Sequence, residues 1–140
     1  LIAVLDKAGV TALAPHSEEA RARLRALRQR ADDLVLPAAV LAEGLLTGHP
    51  GRDHHVRRLL SLLMVADVTE TLGLVAGELR TGAIRGGAHR PPSGVDAIVV
   101  AVADSNAAHD DVEIVTSDTD DIAALLVSGR HAARVSIIRV

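Results

Sequence analysis

The chain contains no Phe, Tyr or Trp. Its core must therefore be assembled from Leu, Val, Ile and Ala, and stacking of bases on aromatic platforms is excluded as a way of gripping single strands. Any contact with nucleic acid would have to run through Arg, backbone amides or bound metal. Cysteine is absent as well, which removes disulfides, thiolate zinc sites and cysteine nucleophiles together. No apolar run reaches the roughly 18 residues of a membrane span. The apolar opening Leu1–Leu5 stops at Asp6 and has no basic leader, so it lacks the pattern of a signal peptide. The expectation from these absences is a cytoplasmic protein with no membrane association. Lysine is nearly missing: Lys7 stands alone among 15 basic residues.

What is present is an apolar fraction of 49% over 140 residues, enough for one folded domain with a buried core. The formal net charge is −3, which argues against a general nucleic-acid coat protein. Charge is unevenly placed. Arg21, Arg23, Arg25, Arg28 and Arg30 fall together, whereas acids stand singly near segment ends or cluster between Asp110 and Asp121. The bland reading of the arginine run is a solvated helix face paired with Glu18, Glu19, Asp32 and Asp33. The functional reading is a surface for RNA phosphates or for an acidic partner.

Short apolar runs alternate with helical patterns. Leu1–Leu5 reads as a strand buried on both faces, followed by a short helix over 8–14. Ser17 is placed to cap a helix over 18–30, with Glu18 and Glu19 in its first turn. Strand 34–36 leads through Pro37 into a helix over 38–47. A helix over 53–63, strand 64–68, helix 70–85, helix 94–108, strand 112–115, helix 119–128 and strand 135–138 complete the order. The alternation implies parallel strands joined by right-handed crossovers. The expected fold is therefore a single α/β domain over 1–140, with a parallel sheet of about five short strands flanked by helices. Sites in such sheets lie beyond the carboxyl ends of the strands.

Four acids fall at or near that edge. Asp6 directly follows the first strand, and Asp118 follows strand 112–115 after Thr116 and Ser117. Glu43 interrupts an apolar helical run, and Asp96 opens the strongly apolar segment from Ala97 to Ala103. Acids are seldom buried unpaired, and gathered carboxylates repel one another unless a cation joins them. Oxygen-only ligands without His or Cys select Mg²⁺ or Mn²⁺, ions that activate water and stabilise charge on phosphate. Each acid also has an ordinary structural reading. Asp6 would cap the next helix, Glu43 would face solvent, Asp96 would be a first-turn acid, and Asp118 would be an N-cap or turn residue. Thr116 and Ser117 would orient a water or Asp118, or simply form the turn. His49, His54 and His55 lack the i, i+4 spacing of a helical zinc pair and read as surface residues.

Four ordered motifs give the chain a resemblance to PIN domains of the VapC toxin family. They are the strand ending Val4-Leu5-Asp6, followed by a helix of small residues; the Pro37-led segment reaching Glu43; the helix start Gly94-Val95-Asp96-Ala97; and the turn Thr116-Ser117-Asp118-Thr119-Asp120-Asp121. The resemblance runs over nearly the whole chain. It implies a Mg²⁺- or Mn²⁺-dependent endoribonuclease, a hydrolase of phosphodiester bonds, acting as the toxin of a type II toxin–antitoxin pair. It implies Asp6, Glu43, Asp96 and Asp118 as catalytic and metal-binding acids, with Thr116, Asp120 and Asp121 as auxiliaries. RNA as substrate, a cognate VapB-like antitoxin whose tail fills the site, and a homodimer are also implied.

One stretch departs from the pattern. Where the family often has a small residue and then Ser or Thr after the first Asp, this chain has Lys7 and Ala8. A hydroxyl beside the metal is lost, and Lys7 either contacts phosphate or competes for Asp6. This leaves a second reading: a weak or inactive PIN-fold protein that binds antitoxin or RNA. Arg80, Arg85 and Arg90 flank the loop before Asp96, either as substrate contacts or as solvated surface. Other α/β families fit less well. A haloacid-dehalogenase-type site needs an Asp where Ala8 stands, a receiver domain needs a late Lys, and a dinucleotide fold needs more than the lone Gly9 after its first strand.

Overall fold

The computed structural model describes residues 1–140. Its element order is β1 (Ile2–Leu5), α1 (Lys7–Leu13), α2 (Glu18–Arg30), β2 (Asp33–Pro37), a 3₁₀ segment (Ala38–Glu43), α3 (Pro50–Leu60), β3 (Met64–Ala66), α4 (Glu70–Arg85), α5 (Gly94–Ala107), β4 (Val112–Thr116), α6 (Thr119–Leu126), a 3₁₀ turn (Ala132–Arg134) and β5 (Val135–Arg139). The five strands form one sheet in the order β3-β2-β1-β4-β5, and every neighbouring pair is parallel. The α/β architecture expected from the alternation of apolar runs and helical patterns is therefore present.

The sheet is wound in two directions. From β1 the chain steps outward to β2 and then β3; from β3 it crosses back over β1 to β4 and then β5. Right-handed crossovers taken in opposite directions place their helices on opposite faces. Contacts agree, with α1 packing on α2 and α3, and α4, α5 and α6 packing on one another. The turn after β1 and the turn after β4 consequently diverge, and they open a crevice at the carboxyl edge between the two central strands.

The core replaces aromatic bulk with many small aliphatic contacts. Ala3, Val4 and Leu5 of β1, Leu36 of β2 and Ile114 of β4 are buried, as expected of strands covered on both faces. Helix α5 is buried over most of its circumference through Ala97, Val99, Val100, Ala101, Val102, Ala103 and Ala107. Its alanines and valines let it lie between the sheet and helices α4 and α6. A helix apolar on nearly all sides belongs inside the molecule, so α5 anchors whatever its first turn carries.

Several boundaries differ from the sequence expectation. The helix expected over 38–47 is a 3₁₀ segment that stops at Glu43, because Gly44 adopts a left-handed conformation with φ 74°. Pro37 closes β2, pairing with Ala66, and as N-cap of the 3₁₀ segment it leads into the helical turn as expected. The next helix begins at Pro50 and ends at Leu60 instead of spanning 53–63, because His49 caps it and accepts a hydrogen bond from the Arg52 amide. Helix α6 ends at Leu126 and β3 at Ala66, both short of the expected ends. The arginine run of α2 is largely paired: Arg21 and Arg25 with Glu18, Arg23 with Glu19, and Arg30 with Glu113 of β4. Asp32 instead accepts from the Leu1 backbone nitrogen, at 2.8 Å.

Candidate metal-binding active site

Asp6 is the first residue past β1, and its position is fixed twice. One oxygen, Oδ1, accepts from the Gly9 amide at 2.7 Å and caps α1. The other, Oδ2, accepts from the Thr116 hydroxyl at 2.5 Å. Thr116 ends the neighbouring strand β4 and is buried. Its oxygen also accepts from the Asp118 amide at 2.9 Å. A single buried hydroxyl therefore ties the carboxylate after β1 to the turn after β4. The register Leu5↔Val115 makes this possible, since it sets Asp6 level with Thr116. Gly9 permits the same approach from the helix side. A Cβ there would lie 2.5 Å from the Val115 carbonyl oxygen, closer than any side chain tolerates.

Asp96 is held by a different device. Ser93 caps α5, accepting from the Asp96 amide at 3.0 Å and donating its hydroxyl to Asp96 Oδ2 at 2.6 Å. The spacing Ser93-Gly94-Val95-Asp96 is that of a capping box, a signal present in the sequence, although here the Asp96 carboxylate takes the Ser93 hydroxyl rather than the Ser93 amide. Arg80 adds a brace: its Nε donates to the Pro92 carbonyl at 2.7 Å and fixes the loop entering α5. Glu43 ends the 3₁₀ segment just before Gly44 turns the chain away, and it is half-buried.

Asp6, Glu43 and Asp96 line one cavity of about 420 Å³, together with Lys7, Ala8, Thr11, Ala12, Ser117 and Val140. Their charges oppose one another. Burial pushes the Asp6 carboxyl above its ordinary range, and the Asp96 charge adds to this against the hydrogen bonds of Thr116 and Gly9. Burial likewise raises Glu43, followed by repulsion from Asp96 and Asp6, with Lys7 working in the opposite direction. Asp96 also belongs to a second group. One carboxylate oxygen from each of Asp96, Asp118 and Asp121 lies within 4.8 Å of the others. The Arg90 guanidinium bridges Asp118 at 3.3 Å and Asp121 at 3.4 Å. Asp96 is the acid common to both groups.

The structure thus gathers Asp6, Glu43, Asp96, Asp118, Thr116 and Asp121 at one edge, while Asp120 is exposed and belongs to neither acid group. Two of the structural readings hold alongside this placement, while Glu43 lines the cavity half-buried and Asp118 starts α6 without a side-chain cap bond. Asp6 caps a helix and Asp96 is a first-turn acid, so capping and gathering are not exclusive. Of the three flanking arginines, Arg90 reaches the acids and Arg80 the loop backbone. Lys7 Nζ donates to the Glu43 carbonyl oxygen at 2.9 Å and so spans from α1 to the 3₁₀ segment. His49, His54 and His55 line no part of the acidic cavity.

An acid that sequence reading passed over is Asp53. Buried in α3, it accepts from the amides of Thr47 and Gly48, each at 2.8 Å, and from the Thr47 hydroxyl at 3.1 Å. These bonds hold its carboxyl below the usual range and fix the loop between Gly44 and α3. Its only sequence signal was position, one turn past Pro50.

The donor set fits a hard divalent cation. It consists of carboxylate oxygens with no His or Cys, arranged so that like charges meet. No family model matches the chain, and no curated protein matches it. Solved structures do. The chain is similar to one in the crystal structure of VapBC2 from Rickettsia felis bound to a DNA fragment from their promoter, with a TM-score of 0.71 and 16% identity over 100% of this chain and 99% of that one. It is also similar to a chain in DNA-bound VapBC from Salmonella typhimurium, with a TM-score of 0.68 and 17% identity over 99% and 98% respectively. At these identities the likeness is one of fold, and it spans the whole domain.

Proposed function

We propose that the chain is a PIN-domain endoribonuclease of the VapC type, the toxin of a toxin–antitoxin pair, which cleaves RNA phosphodiester bonds with Mg²⁺ or Mn²⁺. The observation that carries this reading is the convergence of Asp6, Glu43 and Asp96 on one cavity at the sheet's switch point, with two of the three held above their ordinary carboxyl range. Burial of these carboxyls, with like charges beside them, disfavours their ionised forms in the metal-free protein, and a cation would relieve it. The whole-domain likeness to chains of two VapBC structures supports the same reading.

Asp6, Asp96 and Glu43 would hold the metal, with Asp118 and Asp121 adjoining through Asp96. Bound there, the ion supplies Lewis-acid stabilisation of phosphate charge and acidifies a water. The chain's own residues supply orientation. Gly9 and Thr116 fix both oxygens of Asp6, and Ser93 fixes Asp96. The Glu43 carboxylate is half-buried and accepts no hydrogen bond from the chain, so an oxygen not engaged by the cation would be open to take a proton from the attacking water. A VapB-like antitoxin is the proposed partner, and a homodimer is the proposed assembly.

The test is cleavage of a mixed RNA pool by purified protein with Mg²⁺, with Mn²⁺ and with EDTA, beside Asp96→Ala. Metal-dependent cutting is expected, with a loss of at least about 10²-fold in the variant. Lys7 favours a second reading, a binding-only relative, because its ammonium already stands against the acids from the Glu43 carbonyl. No cutting by folded wild-type protein, with activity appearing in Lys7→Ser, would establish that reading instead.

A further inference from the structure

Beside the acidic cavity lies a second one of opposite character. It has a volume of about 730 Å³ and is walled by α1, the loop after Leu13, the segment after Glu43 and the first turns of α3. Cavities of this size accommodate small organic ligands. Its polar lining includes Lys7, His16, Arg52 and His55 with Thr11 and Thr47, and no Asp or Glu lines it. Lys7 and Thr11 line both cavities, so the two are continuous.

Arg52 stands without an acid beside it in this cavity, whereas Lys7 also faces the acids of the neighbouring one. Neither Lys7 nor Arg52 enters an ion pair, although six of the chain's other arginines do. Lys7 spends one of its three donors on the Glu43 carbonyl, leaving two. His55 Nδ1 is a buried side-chain nitrogen without a hydrogen-bond partner, and the molecule has no other such side-chain atom. A buried polar atom left unpaired is costly and calls for a ligand or water. The nearest acid of α3, Asp53, is committed to Thr47 and Gly48. It lines no part of the cavity, and it holds Thr47 in the wall.

We infer that this basic cavity is a subsite for the substrate strand, taking the phosphodiester backbone next to the scissile phosphate on Arg52, Lys7, His16 and His55. The identity of the strand as RNA rests on the nuclease reading above. The geometry supplies the rest. A polyanion drawn over an acidic site needs compensating positive charge close by, and here that charge adjoins the acids through Lys7. Phosphate contacts position a strand without reading its sequence, so the subsite sets affinity and register rather than base preference.

Binding without cleavage tests this. Asp96→Asn protein is titrated into a fluorescein-labelled single-stranded RNA decamer at several salt concentrations and followed by anisotropy. Adding Arg52→Gln is expected to weaken binding about tenfold and to lower the salt slope by about one. Arg58→Gln, on α3 but outside the cavity, is the control and is expected to change neither. Arg52 is exposed, so its replacement leaves the core untouched, and Arg52→Glu gives a stronger effect in the same direction. In otherwise wild-type protein, Arg52→Gln is expected to raise KM for RNA cleavage with kcat within about twofold. An unchanged affinity and slope overturn the subsite even if the protein cleaves RNA. Arg52-dependent RNA binding by a wild-type protein that cleaves nothing upholds the subsite while the nuclease reading fails. Arg52-dependent binding of polyglutamate but not of RNA overturns it in favour of an acidic protein partner.

Discussion

Asp6 shows how one residue serves fold and site at once, and at what energetic cost. It caps α1 and accepts the Thr116 hydroxyl, yet burial raises its proton affinity. A carboxyl raised on folding favours the fold when protonated. Its contribution is complete below the ordinary value of 3.8 and is lost as pH rises through the folded value. At neutral pH in EDTA, the ionised form of Asp6 is therefore less favourable to the fold than a neutral side chain making the same contacts. Asn caps helices as well as Asp and carries no charge. Asp6→Asn is expected to melt at a higher temperature than wild type in EDTA at neutral pH, with the gap closing toward acid pH. Mn²⁺ is expected to raise the melting temperature of wild type and to have little effect on the variant. Thermal melts across the pH range check both, and a constant gap would remove burial as the cause. The opposite shift at Asp53 acts in both proteins and cancels in the comparison.

Elements place these side chains through close backbone approach. Helix α1 lies so near β4 that only glycine fits at position 9, where a Cβ would meet the Val115 carbonyl oxygen. Gly9→Ala must push the helix away from the strand. The expected cost is about 1–3 kcal/mol of stability by urea unfolding, together with a weaker melting response to Mn²⁺ because Asp6 moves with its helix. Retained stability with a retained metal response would show that α1 has freedom to shift. Helix α5 achieves the equivalent for Asp96 by being buried nearly all round. Its apolar run was plain in the sequence, and so was the position of Asp96 at its head. The 3₁₀ segment was not. Its residues form an apolar helical pattern through Leu46, and the left-handed turn at Gly44 breaks that pattern. An isolated glycine inside a helical run does not announce such a conformation.

For the whole molecule, the edge of the sheet raises the question of assembly. β3 is an edge strand whose Met64 and Val65 are exposed, and Leu74 and Ile84 of α4 are exposed as well. An unprotected apolar edge invites association, which supports the proposed homodimer. Sedimentation is expected to give twice the chain mass for wild type and the chain mass for Met64→Glu combined with Leu74→Glu. A monomeric wild type would withdraw the dimer without touching the site, whose acids all come from one chain.

The order of strands and helices, the parallel sheet and the four edge acids were all readable from the sequence, because each depends on local pattern. Apolar runs of strand length, caps at helix starts and acids following strands are short-range features. Only the tertiary structure decided which acids meet. Asp6 and Thr116 stand 110 residues apart, and their hydrogen bond exists because β1 and β4 became neighbours in one register. The division of the acids into two groups sharing Asp96, the bridging of Asp118 and Asp121 by Arg90, and the basic cavity joined through Lys7 are likewise products of chain crossing. Local pattern fixes which elements form; the distances between charges on different elements are set by how those elements pack.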